Sequence, residues 1–293
     1  VLTGSDGRVR LGWSLLAFIL IMVAFAVVMA AFVPTGLVGG AVALLVVSTA
    51  AGWCVLAFDG RQPAALGFYP SLSAVGELTK GTALGVAIGL AVVAVMAVLG
   101  AVSWTGQEGS AVGWVRGAAG ALGFLLIPAA AEEALLRGYP LQAMGEAWGP
   151  LVAVVLTSVI FGLLHLANPG VGALSITNIA VAGLLLGVIY VRTLSLWWAT
   201  GAHLGWNWAH GYLVDVPVSG LEVIDAPLYE GVTSGPAWLG GGGFGPEGSV
   251  VSTLVVLAAT AALWWGPWLR PGDAALKAEP LLMDDTYTKA VEA

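Results

Sequence analysis

Apolar runs long enough to span a bilayer follow one another along almost the whole chain. They are Leu11–Val33, Gly36–Phe58, Gly81–Val102, a long one from about Ala118 to Ala147, Pro150–Leu166, Val171–Val191, Leu194–Leu213 and Val250–Trp268. Each is close to the ~20 residues an α-helix needs to cross the hydrocarbon core. Pro34, Pro150, Pro169 and Pro271 punctuate several of them, since the residue before a proline is pushed out of helix. Charged residues make up 9 % of the chain and apolar residues 59 %, whereas an ordinary soluble domain carries about 25 % charge. The expected class is an all-α polytopic membrane protein, with about eight transmembrane helices around a polar intramembrane cavity.

Charge placement orients this bundle. If eight spans start inside, the inner segments hold Arg8, Arg10, Arg61, Lys80, Arg192, Arg270, Lys277 and Lys289, and the outer segments hold only Arg116. That positive-inside bias predicts a multi-pass protein of the cell membrane with both termini cytoplasmic. Leu11–Val33 is longer than the apolar region of a cleavable signal and reads as a first span. The expected organisation is one membrane domain over 1–270 and a polar cytoplasmic tail, loosely ordered, over 271–293. No basic stretch interleaved with aromatics suits nucleic acid. The lone Cys54 sits in an apolar run and reads as a small hydrophobe.

Two loops are more than connectors. Asp59–Lys80 mixes aromatics with charge and is expected to lie partly on the interface. Asp215–Ser249 is acidic and contains GGGGFGPEGS at Gly240–Ser249. It reads first as a flexible outer loop, with a re-entrant piece near the site as the alternative.

Against this background a few polar groups sit at membrane depth, where ionisable side chains are expensive and usually functional. Glu132, Glu133 and Arg137 lie in AAAEEALLRGYP, and His165 lies near the end of the fifth run. His203, Asn207 and His210 share GAHLGWNWAH. The last three fall on one helix stripe, and Gly201 and Gly205, four apart, invite close approach of another helix. Taken alone, such groups serve as interhelical hydrogen-bond glue. Their heights argue for more. Glu132 lies about 16 residues before the turn near Gly149 and His165 about 16 after it, so both sit roughly 24 Å along their helices from that turn. Asn207 and His203 fall at similar or shallower depth. An acid, two imidazoles and an amide from three helices can therefore meet at one level.

Glu133 and Arg137 form an (i, i+4) pair in the favourable order. Glu132 points about 100° away and is free to serve another partner. Two adjacent acids in different surroundings can divide labour, one as charge anchor and one as base. A carboxylate taken out of water becomes a better base for water, a histidine can relay the proton, and a second histidine with an amide can hold a developing oxyanion. That inventory suits peptide hydrolysis by an activated water. The same set could instead bind zinc or another divalent metal through Glu132, His165 and His203, and spacing does not choose between the two.

At these residues the sequence resembles the CPBP family of intramembrane endopeptidases, which includes CAAX prenyl endopeptidases and bacterial bacteriocin-processing or immunity proteins. The resemblance covers about Leu122–Tyr212 and rests on three motifs in order. They are E-E-x-x-x-R at Glu132, Glu133 and Arg137, F-x-x-x-H at Phe161 and His165, and H-x-x-x-N at His203 and Asn207. Leu136 departs from the Phe often found before the arginine. The resemblance implies an eight-helix endopeptidase with a water-filled cavity. It implies that Glu132 and His165 activate water, that His203 and Asn207 stabilise the oxyanion, and that Glu133 and Arg137 support them without a cofactor. The implied substrate is a membrane-associated peptide or protein.

The alternative is a non-catalytic membrane scaffold or immunity protein that uses the same pocket to bind a protein partner. A proton-coupled transporter is a third class, but the chain lacks the internal repeat and paired broken helices many transporters show. A serine protease lacks a G-x-S-G element, and Cys54 lies among apolar neighbours.

Overall fold

A computed structural model describes residues 11–222 and 224–283. Arg8, Arg10 and Lys289 of the charge-bias argument, and the end of the tail, lie outside the described residues. The protein is mostly helical: α1 Leu11–Met29, α2 Leu37–Phe58, α3 Leu72–Val98, α4 Ala111–Glu133, α5 Tyr139–Trp148, α6 Pro150–Leu164, α7 Ala173–Thr193, α8 Leu196–Trp208, the short α9 Ala237–Gly240, α10 Val250–Trp265 and α11 Asp273–Lys277. A π-helical turn, Ala134–Gly138, joins α4 to α5, and another, Ala209–Val214, extends α8.

Each expected apolar run falls on a helix. Among the described residues, five helices are long and apolar enough to cross a membrane: α1, α2, α3, the continuous Ala111–Trp148 helix and α7. The helices Pro150–Leu164 and Val250–Trp265 are apolar but shorter. Helix α8 is shorter still as regular helix, because its last turns are π-helical.

The purely α expectation needs one correction. β1 Val102–Gly106 pairs antiparallel with β2 Tyr229–Thr233. The strand residues VSWTG and YEGVT lie outside the long helices and are rich in the β-branched and aromatic types that suit a pleated surface.

Helix α3 packs most extensively on α8, and the reason is small residues on both faces. A Cβ at Gly85 would sit 2.0 Å from the Ala202 carbonyl oxygen, and one at Gly205 would sit 2.1 Å from that of Thr82. Close backbone approach of this kind is how membrane helices associate where the hydrophobic effect between them is absent. It fixes the height and rotation of α8, which carries His203 and Asn207. Gly205→Ala is therefore expected to destabilise the protein by about 1–3 kcal/mol, the usual cost of overpacking. A lowered thermal midpoint of the purified protein would register it.

Two further expectations are corrected. The glycine-rich segment does not behave as a flexible loop, because Gly240, Gly241 and 244–249 are buried and Phe244 is fully so. Its glycines are used for compactness. Gly241 has φ 80°, and a Cβ there would lie 1.7 Å from the Gly245 carbonyl oxygen. The segment folds inward, in line with the re-entrant alternative. The tail also packs where it is described. Ala275, Leu281 and Leu282 are buried, and the Leu281 N–H donates to Gln142 Oε1 at 2.9 Å. The same Gln142 side chain donates to the Ala65 and Leu66 carbonyls. Those residues are fully buried, so part of the Asp59–Lys80 segment enters the core, while Leu72 and Val75 stay exposed.

Candidate active site

The site is built around the middle of the Ala111–Trp148 helix. Pro128 lies inside α4, one turn before Glu132. Pro140 follows the π-turn. A proline removes one backbone donor and crowds the carbonyl four residues earlier, and a wide turn immediately before Pro140 accommodates that loss. Such turns recur at functional sites. Around the acids, Ala129, Ala131 and Ala134 are fully buried and small, leaving room for neighbouring helices.

The two adjacent carboxylates diverge as the helix geometry requires. Glu133 and Arg137 are both 0 % exposed, and Arg137 Nη1 donates to Glu133 Oε1 at 3.2 Å. The guanidinium also donates to the Gly183 carbonyl of α7 at 3.1 Å, and its Cζ lies 4.6 Å from the centre of the Phe161 ring. A buried charge persists when it is paired and hydrogen-bonded, and this one is held by three elements. Glu132 instead borders a cavity, with its side chain 31 % exposed.

His203 links the two acids. Its Nδ1 lies 2.9 Å from Glu133 Oε1, and its Nε2 lies 3.7 Å from Glu132 Oε2. The buried Glu133–Arg137 pair thus orients the imidazole so that its other nitrogen faces the cavity. Glu132 Oε2 itself has no hydrogen-bond partner among the described residues.

His165 caps the C-terminus of α6, and its Nδ1 lies 2.8 Å from the Phe161 carbonyl oxygen. With Nδ1–H donating there, Nε2 is the proton acceptor. Phe161 is buried and touches three functional groups. Its ring packs edge-on against His165 at 4.8 Å and against His203 at 5.8 Å, beneath the Arg137 guanidinium. The spacing in F-x-x-x-H therefore has a packing reason: the ring one turn before the histidine separates and positions both imidazoles.

Glu132, His165, His203 and Asn207 all line one cavity of about 470 Å³. Most of its lining is apolar, with side chains from α2, α4, α6 and α7, so the polar character expected of it is confined to a few groups. His210 does not share it. The π-turn shifts the phase of the stripe, and His210 is fully buried against Trp206, with ring centres 4.5 Å apart, and beside Gly89. Among the described residues no group of three or more His, Cys, Asp or Glu side chains is arranged to hold a metal ion.

Sequence reasoning missed Glu247, a buried carboxylate that lines the same cavity. The available signal was an acid isolated within a glycine run.

A second cavity, of about 480 Å³, shares Leu125, Val218 and Leu221 with the first and is lined by Asp215, Glu222, Asp225 and Glu230. Asp215 lies in the loop beyond α8, and its carboxyl is pushed up to about 6. Partial burial is the main cause. The Ala226 N–H, which donates to it, pulls the other way, and the charges of Asp225, Glu230 and Glu222 push it further up. A carboxyl raised on folding binds more protons folded than unfolded, so its contribution is favourable at low pH and is lost as pH rises from about 4 to about 6. Asp215→Asn keeps an acceptor for Ala226 and is expected to raise the thermal midpoint at pH 7. The difference from the native protein should vanish near pH 4.

Residues 114–209 match the family model described as Type II CAAX prenyl endopeptidase Rce1-like. The match covers less than half of the chain and contains all three motifs. No curated protein and no solved structure matches the chain. The family resemblance carried by Glu132, Glu133, Arg137, Phe161, His165, His203 and Asn207 is thereby supported: over residues 114–209 this chain is similar to the Rce1-like type II CAAX prenyl endopeptidases.

Proposed function

We infer that the protein is an intramembrane endopeptidase that hydrolyses a peptide bond of a membrane-associated protein or peptide. The observation that carries this reading is the division of the acid pair. Glu133 is sealed in a pair with Arg137 and anchors His203, while Glu132 is partly exposed and lines the cavity that His165 and Asn207 also line.

In this reading Glu132, aided by His165, takes a proton from water as the water oxygen bonds to the scissile carbonyl carbon. The carbonyl oxygen becomes an oxyanion. The Asn207 amide and His203, in the form that carries protons on both nitrogens, donate to it. Preorganised donors of this kind are usually the largest single catalytic contribution. Collapse breaks the C–N bond, and the proton returns to the leaving nitrogen from the Glu132–His165 pair, one group acting as base and then acid. Glu133 and Arg137 support the site without touching substrate. No step uses a metal. The apolar lining suits a substrate segment drawn from the bilayer, and both termini are read as cytoplasmic.

The test compares new peptide termini in membranes of cells producing the native protein or Glu132→Gln. Termini that depend on Glu132 identify the substrate, and their complete absence would favour the scaffold reading. With a peptide so identified, cleavage by the purified protein is expected to survive metal chelation. Loss of activity together with a stoichiometric zinc would overturn the metal-free mechanism.

A further inference from the structure

Glu247 is 4 % exposed and lies in the wall of the candidate active-site cavity, yet the mechanism above does not use it. Its carboxylate is fully engaged. Oε1 accepts from the Trp206 indole N–H at 2.5 Å. Oε2 accepts from the backbone N–H of Ser219 at 2.5 Å and from its hydroxyl at 2.7 Å.

Each partner leads to a group of the site. Trp206 directly precedes Asn207 on α8. Ser219 stands in the left-handed region at φ 50°, where a side chain other than glycine needs outside support. Its carbonyl accepts from the Asn168 side-chain amide at 2.9 Å. The Asn168 backbone N–H in turn donates to the His165 carbonyl at 3.0 Å. A continuous chain of hydrogen bonds thus runs from the end of α6, beside His165, through Glu247 to the turn of α8 that carries Asn207.

The backbone of this loop needs no ionisable side chain to stay attached. Asn178 of α7 donates to the Glu247 and Ser249 carbonyls, both at 2.8 Å, and accepts from Thr253 of α10 at 2.6 Å. A buried carboxylate carries a desolvation cost that simple loop attachment does not require. Charge-assisted bonds are short and directional, and that is the property a spacer between two catalytic elements needs.

We propose that Glu247 is a positioning residue whose carboxylate clamps Trp206 to Ser219 and so sets the separation of Asn207 and His165 across the cavity. This rests on the protease reading above. A displacement of about 1 Å in a site can cost on the order of 100-fold in rate.

The test uses the full chain purified in detergent and, as probe, a fluorescence-quenched peptide spanning a bond cut in the membrane comparison. Glu247→Ala and Trp206→Phe are each expected to lower kcat by about 10–100-fold with KM little changed. The double variant should be no worse than the poorer single one, because both break the same clamp. Glu247→Gln, whose amide oxygen can still accept from one donor, should recover part of the loss. Amide hydrogen exchange over 165–172 and 215–222 should accelerate in Glu247→Ala, while α3 and α7 keep their protection. Unchanged kcat, losses that multiply in the double variant, or acceleration spread across the whole bundle would each overturn the proposal. If the native protein cuts no peptide, the protease reading has failed separately, and exchange still decides the clamp. Unaltered exchange over those two segments overturns it.

Discussion

Glu132→Gln should lower kcat by about 10²–10⁴-fold, the range that loss of a general base produces, while the protein stays folded. The side chain borders the cavity, and its Oε2 has no hydrogen-bond partner to lose. The substitution removes a proton acceptor and little packing. The measurement is initial rate on an identified peptide, with the thermal midpoint taken on the same preparation. Full activity in Glu132→Gln would remove Glu132 from the chemistry and leave His165 as the remaining acceptor in the cavity.

The adjacent acid behaves in the opposite way. Arg137→Ala leaves Glu133, which is 0 % exposed, with His203 alone as its partner and removes the guanidinium that pairs with it. Breaking one side of a buried pair costs about 3–5 kcal/mol, a large part of the stability of a typical protein. The expected result is a protein that aggregates or is degraded rather than one that is folded and inactive. A double variant, Glu133→Gln with Arg137→Met, removes both charges and should recover much of that stability. It should not recover activity, because His203 loses the carboxylate 2.9 Å from its Nδ1. Yield of monodisperse protein and rate of peptide cleavage separate these outcomes. An Arg137→Ala protein as stable as the native one would show that the pair is not what keeps Glu133 tolerable.

The residues that local rules could place were those whose partner lies one helical turn away or whose depth follows from counting. The Glu133–Arg137 pair is an (i, i+4) contact, and the divergence of Glu132 from Glu133 follows from 100° per residue. Counting from the turn near Gly149 brought acid and histidine to one level. Gly201 and Gly205 marked the face that α3 meets. The apolar runs announced the helices themselves, since in lipid the backbone must bond within its own segment.

Other features depended on the path of the chain in three dimensions. No spacing rule links Glu133 to His203, seventy residues on, or Glu247 to Trp206, forty-one residues before it. Nor does periodicity foresee π-turns, and the one at Ala209–Val214 took His210 off the stripe it shares with His203 on a regular helix. The glycine run read as flexible because unpacked glycine is flexible. Buried against Pro217 and its own carbonyls, the same residues allow a tight inward fold. Composition and periodicity thus sufficed for a helical membrane protein with an acid pair and two histidine motifs, because those depend on the bilayer and on helix geometry. Which carboxylate faces the cavity, which is sealed, and which loop closes the wall were decided by long-range packing, where contacts between residues distant in the chain set the energy.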